Sequence, residues 1–233
     1  MARLIELNQE LLKLADPVQA KNCLWFFKTG KGEYGEGDKF YGIKVPKLRK
    51  LASKFEALTL ADLDALMRSE MHEERFIALV ILTRKYERGD ARTKSEIVRW
   101  YLKHASRINN WDLVDVSAPR IYGDWILTHG FSKQDKLIES KNLWRRRIAI
   151  VGTFMLIRDG RFDEPLRVAE KLLHDKHDLI HKAVGWMLRE VGKRDKAVLE
   201  KFLHEYVKMM PRTMLRYAIE KFSAIEREKY LKA

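Results

Sequence analysis

Within NNWDLVDVSAP (109–119) an indole and a carboxylate, Trp111 and Asp115, stand four residues apart. On an α-helix positions i and i+4 lie one above the other, so both side chains can address one external object. A carboxylate so placed stabilises a developing positive charge or orients a water, and an indole face favours a nearby cation by roughly 0.5–2 kcal/mol. A plain structural reading competes, and on spacing alone it is the commoner outcome. In it Trp111 is a core aromatic, and Asp115 caps a helix that Ser117 and Pro119 open, since Asp accepts N–H bonds at helix starts and Pro is tolerated in the first turn.

Two other stretches carry residue types able to do chemistry. TGKGEYGEGDKFYG holds Gly30, Gly32 and Gly35 in GxGxxG spacing, but a dinucleotide cradle follows a strand and opens a helix. Here CLWFFK precedes the glycines, and Glu33, Glu36 and Asp38 would repel phosphate. The expectation is an ordered loop and no nucleotide cofactor. HDKHDLIH groups His174, His177 and His181 with Asp175 and Asp178, yet a zinc site needs convergent ligands, and this segment crosses a helix boundary where Asp178 reads as the cap. No metal is expected. Cys23 has no nearby His, and no GxSxG elbow occurs, so no nucleophile is assigned.

The elements that must position these residues read as helices throughout. Apolar residues recur at three and four positions in RFIALVILTRKY and LIHKAVGWMLREV, and Gly89, Pro119, Gly160 and Pro211 stand in or beside the connections. Five helices share a small alanine inside the apolar stripe: Ala78, Ala118, Ala149, Ala183 and Ala218, separated by 40, 31, 34 and 35 positions. That period is one of paired helices of the HEAT or armadillo kind, which stack into a superhelix with a concave surface. The fold class is therefore all-α, a HEAT-like α-solenoid forming one domain over 1–233. Arg75, Arg147, Lys182 and Arg216 precede four of these alanines by one to three places and are expected to line the concave groove with cations.

The 46 Lys and Arg against 33 Asp and Glu give a net charge of +13, and the sequence pI near 9.7 favours a polyanionic partner. One cysteine suits a reducing compartment, and the N-terminus, with Glu6 and Glu10 inside its apolar pattern, reads as an amphipathic helix. The longest apolar run, Ile148 to Ile157, falls short of the ~20 residues a membrane span requires. A cytoplasmic monomer without a membrane segment is expected.

NNWDLVD, YGIKVPKLRKL (41–51), LWRRRIAI (143–150) and HKAVGWMLRE (181–190) together resemble the AlkD-type DNA alkylation repair family, HEAT-like glycosylases that remove alkylated purines. The resemblance runs in the family's order over most of the chain. It implies duplex DNA carrying alkylated bases as substrate, Asp115 as the catalytic carboxylate, Trp111 and Trp186 as the indoles flanking the lesion nucleotide, and Arg147 as a backbone contact. Lys44 and Arg189, inside the matched segments, join Arg75, Lys182 and Arg216 as expected DNA contacts. The loop from Thr29 to Asp38 departs from the family by its length. A purine alkylated at N3 or N7 is cationic and leaves without a general acid, so what the site must supply is stabilisation of an oxocarbenium-like sugar and a positioned water. A non-catalytic DNA-binding member of the family is the alternative, and a protein-interaction scaffold a weaker one.

Overall fold

Several helix starts in this chain are set by short polar side chains. Asp16, Asp90, Asn142 and Asp195 each accept backbone N–H bonds at the first turn that follows them. Thr59 and Asp62 form a reciprocal capping box. The computed structural model describes residues 2–232. Its first helices are α1 Ala2–Leu14, α2 Pro17–Phe26, α3 Val45–Lys54, α4 Leu60–Arg68, α5 His72–Arg88, α6 Ala91–Lys103 and α7 Trp111–Ala118. A π-helix, Pro119–Gly123, follows. Then come α8 Asp124–His129, α9 Gln134–Ile138, α10 Leu143–Gly152, α11 Phe154–Arg158, α12 Asp163–Lys171, α13 Asp178–Arg194, α14 Lys196–Tyr206, α15 Arg212–Ala218 and α16 Ala224–Lys232. No strand occurs among the described residues beyond an isolated bridge between Lys39 and Met71. None of the described helices is long and apolar enough to cross a membrane.

The chain divides into two compact units, Met1–Ser117 and Ala118–Ala233. In the first, α3, α4 and α6 pack on α5. In the second, α13 is the central element, packed by α10, α14 and α15. The repeat alanines are all buried: Ala78, Ala118 and Ala149 are 0% exposed, and Ala183 and Ala218 1%. Gly185, in the middle of α13, marks a still closer approach. A Cβ there would stand 2.5 Å from the Met214 carbonyl oxygen and from Tyr217 Cβ, so only a glycine lets α15 come this near.

One helix breaks the usual apolar pattern. The first turn of α5 buries His72, Glu73, Glu74 and Arg75 in succession, and buried charges persist only when paired and hydrogen-bonded. The long connection between α2 and α3 supplies the partners. Its Lys39 exchanges backbone bonds with the α5 entry, His72 N–H donating to Lys39 O at 2.8 Å and Lys39 N–H to Glu70 O at 3.0 Å. Glu73 then accepts three consecutive N–H bonds, from Tyr41 at 3.0 Å, Gly42 at 2.8 Å and Ile43 at 3.2 Å. Gly42 adopts φ +81°, and a Cβ there would meet Asp16 O at 2.3 Å, which accounts for the glycine in YGIKVP.

Candidate active site

The helix carrying NNWDLVD starts at its tryptophan. Asn110 Oδ1 accepts the Trp111 N–H at 2.8 Å, and α7 runs from Trp111 through Ala118. Asp115 therefore sits inside the helix, and Ser117 and Pro119 open nothing: Ala118 keeps helical dihedrals, φ −59° and ψ −45°. The capping alternative is excluded by this placement. Pro119 has no N–H to give the Asp115 carbonyl four residues back, and the chain widens into the π-helix at that proline. Trp111 and Asp115 are both half-buried, one helical turn apart on α7.

Trp111 does not join the helix core either. Its ring stacks on Phe27 at 5.6 Å between centroids and meets the exposed Phe26 edge-on at 5.7 Å. Phe27 in turn stacks on Phe40 at 5.1 Å. Such pairs contribute about 0.5–1.5 kcal/mol each beyond area burial. Beneath them lies His72, whose ring stands 4.8 Å from Phe27 and 4.9 Å from Phe40.

His72 is the centre of a charge network built from three elements. Its Nε2 faces Asp112 Oδ2 of α7 at 2.9 Å, and its Nδ1 faces Asp38 Oδ2 of the α2–α3 connection at 3.3 Å. Asp38 also accepts from Arg75 Nη2 at 2.6 Å and from Asn109 Nδ2 at 3.1 Å. Burial alone would push the imidazole to a lower pKa, but Asp112 and Asp38 outweigh it and raise it to about 9. Burial pushes the Asp38 carboxyl up, and the His72 and Arg75 partners pull it below the ordinary 3.8. His72 and Asp112 also form part of the wall of a 590 Å³ cavity, with Cys23, Phe26, Phe27 and Phe40. A larger cavity of 720 Å³ in the second unit, lined by Phe131, Arg161, Arg167 and Tyr206 among others, contains none of the candidate site residues.

The expected DNA-contact cations separate into distinct kinds. Arg75 is 0% exposed and bound to Asp38 and to the Ser69 carbonyl, which corrects its assignment to a groove surface. The reason is positional: Arg75 precedes Ala78 by three residues and so shares the buried face of α5. Arg147 is corrected likewise. It is 5% exposed, lies on the stripe between the buried Trp144 and Val151, and donates from Nη1 to Leu179 O at 2.7 Å. Lys182 is half-buried and pairs with Asp178 at 2.6 Å, while Arg189 is bound to Glu220. Lys44 and Arg216 are exposed. Trp186 of α13 is half-buried, with Nε1 donating to Glu190 at 3.2 Å and its ring 6.2 Å from Phe154.

The two glycine- and histidine-rich stretches are occupied by their own side chains. Gly30 N–H donates to Glu33 at 2.8 Å and Gly32 N–H to Glu36 at 2.8 Å, so carboxylates fill the place a phosphate would need. In HDKHDLIH the cap is His177, whose Nδ1 accepts from Leu179 N–H at 3.1 Å, rather than Asp178, and Asp175 is held by Arg146 at 2.6 Å. No group of three metal-ligating side chains is found among the described residues. Sequence reasoning missed the inward turn of Asp38 and the aromatic set Phe26, Phe27 and Phe40. The available signal was CLWFFK itself, four large apolar side chains in succession, Leu24 to Phe27, at the end of a short helix with no buried residue.

The sequence profile of the DNA alkylation repair enzymes matches residues 7–222, through both units. Solved structures agree in fold. A predicted DNA alkylation repair enzyme from Enterococcus faecalis is 18% identical with a TM-score of 0.70, over 90% of this chain and 97% of that one. AlkD2 from Streptococcus mutans is 18% identical with a TM-score of 0.57, over 96% and 98%. A further Streptococcus mutans protein, smu.31, is 16% identical with a TM-score of 0.54, over 95% and 98%. No curated protein matches the sequence.

Proposed function

Because the chain belongs to the DNA alkylation repair enzyme family, we propose that it is a DNA glycosylase that hydrolyses the N-glycosidic bond of purines made cationic by N3 or N7 alkylation in duplex DNA. The observation that carries this reading is the placement of Trp111 and Asp115, half-buried and one turn apart on α7, with Asp115 inside the helix where capping does not account for it. The base, already positive, departs as a neutral purine. As its bond to C1′ lengthens, positive charge moves onto the deoxyribose. The Asp115 carboxylate opposes that charge and orients the water that adds to C1′, and the Trp111 face adds its quadrupole. Trp186 is proposed as the second indole. Lys44, Lys182 and Arg216 are proposed as phosphate contacts, each giving a share of the salt dependence of binding.

Asp115→Asn keeps shape and deletes charge. Single-turnover release of N7-methylguanine from methylated duplex should fall roughly 10²- to 10³-fold, while duplex affinity holds. Near-normal release by a folded variant would falsify the assignment.

A further inference from the structure

Both ring nitrogens of His72 face carboxylate oxygens, Asp38 Oδ2 and Asp112 Oδ2, which as carboxylates accept only. Asp38 already accepts from Arg75 and Asn109, and Asp112 Oδ1 accepts the Leu113 N–H at 2.9 Å. Two acceptors on opposite edges of one imidazole require two N–H donors, which only the imidazolium has. Asp112 is the second residue of α7, next to Trp111 and three before Asp115. The ring thus joins the entry of α5, the α2–α3 connection and the first turn of the candidate helix.

We propose that His72 is a positioning residue for α7: held by Asp38 on one edge, its imidazolium grips Asp112 on the other and so sets where Trp111 and Asp115 stand. His72 touches neither reacting sugar nor base in this scheme. Its charge acts through the carboxylate next to the indole. The groups facing it are Asp38 from the connection, Asp112 from α7 and Arg75 from its own helix, with the Phe27 and Phe40 rings packed on its faces. Loss of the proton leaves one edge with a lone pair against a carboxylate, and that contact turns repulsive. The direction in which Asp112 and Asp38 shift His72, up to about 9, keeps the imidazolium present at neutral pH.

For its effect on catalysis this inference rests on the glycosylase reading, and the test separates the two. In ¹⁵N-labelled wild-type protein the Trp111 indole resonance, identified with Trp111→Phe, should move with the His72 titration near pH 9. The movement should disappear in His72→Gln and shift to lower pH in Asp112→Asn. In parallel, the ratio of wild-type to His72→Gln excision rates, taken at each pH so that ionisation of the lesion cancels, should be roughly 10- to 100-fold near neutrality and fall toward unity above the His72 midpoint. A purely structural role would give a ratio constant with pH. A Trp111 resonance that stays flat through the His72 titration overturns the proposal whether or not His72→Gln folds, and so does a pH-independent ratio. Coupled titration in a protein with no excision at any pH upholds the positioning role and removes the glycosylase reading instead.

Discussion

Two helices each present a half-buried tryptophan, and they are held by opposite means. In the first unit α7 is anchored by ionisable groups: Asp112 to His72, His72 to Asp38, and Asp38 to Arg75. In the second, α13 is anchored by shape, with Gly185 admitting the Met214 backbone to a distance no other residue permits. The first arrangement fixes a helix through charges whose strength depends on protonation. At Gly185 the second depends on volume, although Arg189 also ties α13 to Glu220. The difference is that pH can titrate the groups that hold the Asp115 helix, whereas it cannot change the close approach at Gly185.

Four measurements test this contrast. The largest effect is expected from Arg75→Leu, which leaves Asp38 buried beside a half-compensated network and should lower unfolding free energy by about 3–5 kcal/mol in denaturant titration. A loss within 1 kcal/mol of zero would show that the charge network does not hold the first unit. Next, Gly185→Ala should cost about 1–3 kcal/mol by overpacking against α15, equally at all pH values; a penalty that varies with pH would contradict the steric account.

The third measurement is the pH dependence itself. His72 has its folded-state pKa raised from 6.5 to about 9, so its contribution to stability is complete below 6.5 and is lost as pH rises through about 9. The decline should not exceed about 1.4 kcal/mol per pH unit, and thermal melting of His72→Gln should lack it. Asp38, lowered from 3.8, contributes above that value, and its share disappears as pH falls through its folded-state pKa. The smallest effect belongs to exposed cations. Lys44→Ala and Arg216→Ala should each flatten the log–log salt slope of duplex binding by about 0.9, with melting unchanged. An unchanged slope would remove that residue from the interface.

Much of the helical frame was legible because burial leaves a periodic mark. The five small alanines fell at buried positions since close packing selects small residues at regular intervals, and the Trp111–Asp115 pair fell on one helix, as four-residue spacing suggests. The cations misled for the same reason. Arg75 and Arg147 carry the charge of surface residues but occupy core-facing positions, and the partners that reconcile the two lie far away in sequence: Asp38 is 37 residues from Arg75 and Leu179 is 32 from Arg147. Asp38 itself stands among glycines and acids that look solvated. Only the fold reveals that it points inward. The competing reading of Asp115 as a cap arises because Ser117 and Pro119 after it imitate a helix start, whereas the proline widens a helix already under way.

The α2–α3 connection also has a practical side. Its tip is closed by its own carboxylates, Glu33 on Gly30 and Glu36 on Gly32, while its base is tied to α5 through Asp38, Lys39 and Glu73. A segment fastened at both ends in this way is a grafting point. A peptide spliced in after Gly32 would part Gly30 from Glu33 and Gly32 from Glu36, and would add the entropy of a longer closed loop, about 0.6 kcal/mol for each doubling in length. A fluorophore or affinity tag placed there should leave the Asp38 and Glu73 ties at the base intact, and a melting temperature lowered by no more than a few degrees in the tagged chain is the check.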